Sequence, residues 1–206
     1  MRLLVKICGL TRLEDVAVCT GIGADLLGFI FHPKSPRNTD PALPANVRTC
    51  GASKVGVFVS QTADEINDIM QRGKLNLAQL HGDQDPDFCR AIGANRVIKV
   101  FWPDRYETTA ELEADLRRYQ TCARYFLFDS GVSGGGHGAA MDTTILKGLN
   151  SPLPWLLAGG LGPDNLDQAL AVKPNGLDIN SGVESAPGVK DNAQIGEVFR
   201  KLAGVR

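Results

Sequence analysis

The sequence predicts an α/β fold: a closed (β/α)8 TIM barrel forming a single domain over residues 1–206. Three observations lead there. Short apolar or β-branched runs end at turn residues eight times along the chain, and segments with helical spacing fit between them. Eight such units of about 25 residues match a barrel at the small end of its size range. No GxGxxG follows the first run, which argues against an open doubly wound sheet.

The eight predicted strands are residues 3–7, 26–31, 54–59, 75–80, 96–101, 124–128, 155–158 and 176–179. A helix is predicted over 13–20, where Leu13, Val16 and Ala17 share a face. The second crossover is the weak one. Pro41 and Pro44 lie inside 40–49, so only a short helix or an irregular connection fits. Thr62 caps a helix over 64–72. Pro86 opens the next, over 86–92, where a missing N–H is harmless. A strongly charged helix is expected over 107–119 and a short one over 142–149. Helices over 163–172 and 193–202 complete the alternation.

Composition narrows the function. The 206 residues suffice for a sizeable core, and 22 basic against 23 acidic residues leave a net charge of -1. That balance offers no electrostatic case for nucleic acid or an anionic membrane. No apolar run is long enough to span a bilayer, and a charge and a glycine interrupt the N-terminal run too early for a secretory signal. The five cysteines (Cys8, Cys19, Cys50, Cys89, Cys122) are odd in number and form no CxxC pair. This argues against a disulfide framework or structural zinc and for the cytoplasm. His32, His81 and His137 lack metal-site spacing.

In this fold the chemistry sits in the loops after the strands. The first strand ends in Cys8-Gly9 and the second in His32-Pro33-Lys34-Ser35-Pro36-Arg37. The fourth ends in Gln79-Leu80-His81-Gly82-Asp83, and the sixth in Asp129-Ser130 with the run Gly134-Gly135-Gly136-His137-Gly138. Gly159-Gly160-Leu161 follows the seventh strand and Ser181-Gly182-Val183-Glu184 the eighth. The last two loops read as a phosphate site: Gly159, Gly160, Ser181 and Gly182 offer unobstructed N–H groups, each pair ahead of a helix start. Arg37 is either a clamp for a substrate carboxylate or a solvated loop residue. Cys8 is either a reactive thiol or a buried inert one, and Asp129 either an acid or a turn residue. Strand alternation puts Lys6 on the same face as Cys8, inside the barrel, where a lysine needs a partner. Closure makes strands one and eight neighbours, so Asp178 is the expected partner, and the ammonium would also favour a Cys8 thiolate.

Taken in order, these loops resemble the phosphoribosylanthranilate isomerase family of tryptophan biosynthesis. The matching segments are Lys6-Ile7-Cys8-Gly9, Lys34-Ser35-Pro36-Arg37, Gln79-Leu80-His81-Gly82, the 129–138 loop, Leu157-Ala158-Gly159-Gly160-Leu161 with Pro163 and Asn165, Asp178 with Ser181-Gly182-Val183-Glu184, and Pro187-Gly188-Val189-Lys190-Asp191. They span essentially the whole chain. The resemblance implies an Amadori rearrangement of N-(5-phosphoribosyl)anthranilate to 1-(2-carboxyphenylamino)-1-deoxyribulose 5-phosphate, without metal or organic cofactor. It implies Asp129 as general acid, with a raised pKa, and Cys8 as general base, with a lowered one. Arg37 would then hold the substrate carboxylate, with His81, Gly136, Lys6 and Asp178 as further site candidates. The implied partner is a small phosphoribosyl substrate, and the implied assembly a monomer or homodimer. The chain departs from the family in the sixth loop, where His137 takes a hydroxyl position, Ala139 a polar one, and Met141-Asp142-Thr143 replaces an aromatic–Asp–Trp trio. Rival readings are a neighbouring phosphosugar barrel enzyme of histidine or tryptophan biosynthesis, a non-catalytic phosphate binder, and a thiol redox protein. Cys8 stands where the histidine-pathway isomerase would carry aspartate and the indole synthase lysine.

Overall fold

A computed structural model describes residues 2–129 and 143–205. Eight parallel strands close into a barrel in sequence order: β1 (Leu4–Ile7), β2 (Leu26–Ile30), β3 (Ser53–Phe58), β4 (Leu77–Leu80), β5 (Val97–Phe101), β6 (Tyr125–Asp129), β7 (Trp155–Ala158) and β8 (Gly176–Ile179). The strands are near-continuous apolar runs because the barrel lining and the outer helices bury both faces. One set of alternate side chains, including Leu26, Val55, Leu77, Ile98, Val100, Leu127 and Leu156, packs together inside the barrel. The other set, including Val5, Ile7, Leu27, Phe29, Phe126 and Phe128, belongs to the layer under the helices.

The helices are α1 (Leu13–Gly21), α2 (Ala42–Ala45), α3 (Ala63–Arg72), α4 (Pro86–Ile92), α5 (Thr109–Tyr119), α6 (Leu166–Leu170) and α7 (Asn192–Leu202). Their starts follow local chemistry. The Thr62 hydroxyl accepts from Glu65 N–H, and the Glu65 carboxylate accepts in return from Thr62 N–H. Asp85, Thr108 and Asp191 cap α4, α5 and α7.

One expectation about the crossovers holds and two need correcting. As its prolines require, the second crossover holds only the four-residue α2. The short helix expected over 142–149 is a single 3-10 turn at Thr144–Leu146, with residue 142 outside the described set. The helix expected over 163–172 splits into a 3-10 turn at Pro163–Asn165 and the short α6. An antiparallel hairpin, β9 (Glu184–Ala186) with β10 (Val189–Lys190), stands between β8 and α7.

Candidate active site

Residues at the carboxyl ends of the strands that continue the inward-facing alternation gather at one mouth of the barrel. Cys8 follows Lys6 on β1, His81 follows Gln79 on β4, Trp102 follows Val100 on β5, and Asp129 follows Leu127 on β6. Gly28 on β2 makes room for the first pair. A Cβ built there would lie 2.7 Å from Cys8 Sγ and 3.1 Å from Lys6 Nζ.

The expected Lys6–Asp178 pair is present. The two residues sit directly opposite in the β1–β8 register, and Lys6 Nζ donates to Asp178 Oδ1 and Oδ2 at 2.9 and 2.8 Å. Burial alone would lower the Lys6 pKa. The Asp178 charge, with Cys8 beside it, outweighs that and raises it. The same ammonium beside the Cys8 sulfur draws its pKa down, but burial of the thiol is the larger effect and the net shift is upward. The expectation of a lowered Cys8 pKa is therefore wrong for the free protein. Cys8 rests as a thiol, because the desolvation cost of a buried thiolate exceeds the attraction of an ammonium already committed to Asp178.

His81 Nε2 lies 3.6 Å from Asp129 Oδ2, outside hydrogen-bond range. Burial lowers the His81 pKa against the opposing pull of Asp129, so the ring is neutral near pH 7. Gln79 Nε2 lies 3.3 Å from His81 Nδ1, and an amide donating there places the ring proton on Nε2, facing Asp129. Trp102 meets the imidazole edge-on at 5.4 Å between ring centroids, and Arg105 stacks on the indole at 4.0 Å.

Arg37 is not a solvated loop residue. It is 18% exposed and donates from Nε and Nη2 to the Glu184 carboxylate at 3.0, 3.0 and 2.6 Å. Burial would raise the Glu184 pKa, but hydrogen bonds from Arg37 and Lys190 outweigh it and hold the carboxyl below its usual range.

The seventh and eighth loops pack backbone to backbone. A Cβ on Gly182 would fall 2.1 Å from the Leu161 carbonyl oxygen, and one on Gly162 would fall 2.6 Å from that of Gly182. Gly159 and Gly160 both take positive φ, 116° and 61°, and the space beside Gly160 is open. The expected helix starts are reduced here. Ser181–Val183 is one 3-10 turn, the long helix α7 begins only after the hairpin, and loop seven leads to another 3-10 turn. Single 3-10 turns, rather than a full-length helix, therefore directly follow both loops. Gly136, with His137, Ala139, Met141 and Asp142, lies outside the described residues, and Thr143 is buried. Among the described residues no group of three or more His, Cys, Asp or Glu is arranged to hold a metal ion.

A family model described as N-(5'phosphoribosyl)anthranilate (PRA) isomerase matches residues 5–201. The chain belongs to this isomerase family. The N-(5'-phosphoribosyl)anthranilate isomerase of Maridesulfovibrio salexigens is 52% identical over 203 residues, which cover 98% of this chain and 99% of that protein. The crystal structure of phosphoribosyl anthranilate isomerase from Thermotoga maritima superposes with a TM-score of 0.85 at 32% identity, over 98% of this chain and 99% of its own. A phosphoribosyl anthranilate isomerase in complex with reduced 1-(o-carboxyphenylamino)-1-deoxyribulose 5-phosphate is 31% identical, with a TM-score of 0.82 over 98% and 99% of the two chains.

Among the residues that the structure brings to this candidate site, Trp102, Gln79 and Lys190 went unassigned in the sequence. Trp102 lies one residue past the predicted strand 96–101, although its position two residues after Val100 puts it on the inward face. Gln79 is separable from the strand core only by the same alternation. Lys190 sits in a short hairpin with no apolar pattern to mark it, and its burial beside Glu184 and Asn180 is a purely tertiary fact.

Proposed function

We propose that this chain rearranges N-(5-phosphoribosyl)anthranilate into 1-(2-carboxyphenylamino)-1-deoxyribulose 5-phosphate in L-tryptophan biosynthesis, with Asp129 as general acid and Cys8 as general base. The carrying observation is a buried thiol and a carboxyl group on inward-facing positions at one barrel mouth, in a chain of this family. The Asp129 proton passes to the ribose ring oxygen as the C1–O bond breaks, leaving an iminium at C1. Cys8 then takes the proton from C2, and the C–H electron pair moves toward the iminium to give an enolamine. Tautomerisation returns a proton to C1 and leaves the ketone at C2. The resting thiol fits this order of events. The cationic iminium forms next to it and favours ionisation of the thiol, whose proton leaves to solvent water, so that the thiolate is present when the C2 proton is taken. Once Asp129 has given up its proton, the neutral His81 presents an N–H toward the new carboxylate. Arg37 holds the aryl carboxylate, and Gly159, Gly160, Ser181 and Gly182 hold the phosphate.

The test is a coupled assay. The short-lived substrate is generated in place from anthranilate and phosphoribosyl pyrophosphate by its synthesising transferase, and loss of its fluorescence is followed. Wild type should accelerate the decay strongly, and Cys8→Ser and Asp129→Asn should each lose about 100-fold or more. Decay at the spontaneous rate with folded wild type would favour a related phosphosugar substrate or a binding-only barrel.

A further inference from the structure

The Arg37 guanidinium is already held by a carboxylate from its own chain, and the way it is held has a use. Glu184 occupies one edge of the guanidinium fork, taking hydrogen bonds from Nε and Nη2. Arginine carries five N–H donors in a fixed plane, so the edge formed by Nη1 and the second Nη2 hydrogen is not used by Glu184. Glu184 is itself fixed. Its side chain is 4% exposed and also accepts from Lys190 Nζ at 2.8 Å and from the Gly188 N–H at 3.3 Å. Lys190 is fully buried, and its ammonium also donates to the Asn180 carbonyl and side-chain oxygens at 3.0 Å each. The stem of Arg37 is braced as well. A Cβ on Gly9, beside Cys8, would lie 2.8 Å from Arg37 Cδ and 2.5 Å from Asn180 Oδ1. One carboxylate shared between two basic side chains in a largely buried cluster leaves Arg37 with an edge that Glu184 does not occupy and that one further anion would fill.

We propose that Glu184, locked by Lys190, is a positioning residue that presents the outer edge of Arg37 to the substrate's aryl carboxylate and so sets selectivity for carboxylated substrates. The hairpin β9–β10 places both residues of the lock opposite one another, Lys190 in register with Glu184. The inference rests on the reading of Arg37 as the carboxylate clamp, and the experiment separates the two. Two stable ligands are titrated by calorimetry: reduced 1-(2-carboxyphenylamino)-1-deoxyribulose 5-phosphate, and the same compound without the carboxyl group. The readout is the ratio of the two dissociation constants, which a general loosening of the site would not change.

Wild type should prefer the carboxylated ligand, and Arg37→Ala should abolish that preference. Glu184→Gln should cut the preference about 10-fold or more, the worth of a well-aimed charged hydrogen bond, and leave the decarboxylated ligand within about twofold of wild type. Glu184→Asp, which keeps the charge, should recover part of the preference and serves as the readout if the glutamine variant does not fold. Lys190→Met should reduce the preference in the same direction. A preference lost in Arg37→Ala but intact in Glu184→Gln overturns the inference and leaves the clamp standing. Equal weakening of both ligands in Glu184→Gln also overturns it. A preference that survives Arg37→Ala overturns the clamp, and the inference with it.

Discussion

Substituting Gly28 by alanine probes the active site with a single methyl group. Gly28 lies on β2 beside β1, and its φ is not in the left-handed region, so the backbone itself tolerates a side chain. The obstacle is the space. The new Cβ would sit 2.7 Å from Cys8 Sγ, 3.0 Å from Cys8 Cα and 3.1 Å from Lys6 Nζ. Ordinary carbon contacts begin near 3.5 Å, so the sulfur must retreat by about 1 Å, away from its place at the mouth. Overpacking of this kind costs about 1–3 kcal/mol of stability. A 1 Å displacement of a reacting group costs about 100-fold in rate. Urea unfolding and the coupled fluorescence assay, on the same preparation, should show a modest loss of stability beside a large loss of kcat. A folded Gly28→Ala enzyme with kcat within twofold of wild type would refute the reasoning, because Cys8 could then move without consequence.

Other expectations follow from the charges. Lys6→Met strands the buried Asp178 carboxylate and should cost about 3–5 kcal/mol in urea unfolding. It also removes the ammonium that restrains the Cys8 thiol, so the pH profile of Cys8 alkylation, followed by peptide mass, should move further upward; an unchanged profile would rule out coupling between the two. In wild type, alkylation of Cys8 should be slow at pH 7 and reach its half-point above the 9.0 of a free thiol, while the exposed Cys50 reacts first. Glu184 is depressed below 4.5 in the fold, so its contribution to stability is complete above the unfolded value and is lost as pH falls through the lower folded one. Acid unfolding of Glu184→Gln should therefore be less steep than that of wild type below pH 4.5. Thr62→Ala removes the cap of α3, a residue with no part in the site, and should cost about 0.5–2 kcal/mol with turnover unchanged.

The strands were legible because each is buried on both faces and must read as an apolar run that stops at a turn. The Lys6–Asp178 pair was legible for a related reason. Two-residue alternation and barrel closure together leave a lysine inside the wall with one neighbouring acid. The hairpin 184–190 was not legible, since it mixes polar residues with proline and glycine and buries only through tertiary contact. The Arg37–Glu184 bond joins residues 147 positions apart and has no local signature. The direction of the Cys8 shift was missed because it depends on how completely the thiol is buried, a balance between desolvation and a shared ammonium that spacing does not reveal. The split of the helix over 163–172 reflects backbone geometry, with the Gly162 N–H bound to the Asn165 side chain ahead of α6.

The central claim is the division of labour between Cys8 and Asp129, and substrate deuterated at C2 of the ribose tests it most directly. In Cys8→Ser, removal of the C2 proton should become the slow step and turnover should show a clear primary isotope effect. In Asp129→Asn, ring opening should be slow and the effect should nearly vanish, because no C–H bond breaks in that step. An isotope effect large in Asp129→Asn and absent in Cys8→Ser would contradict the assignment and exchange the two roles.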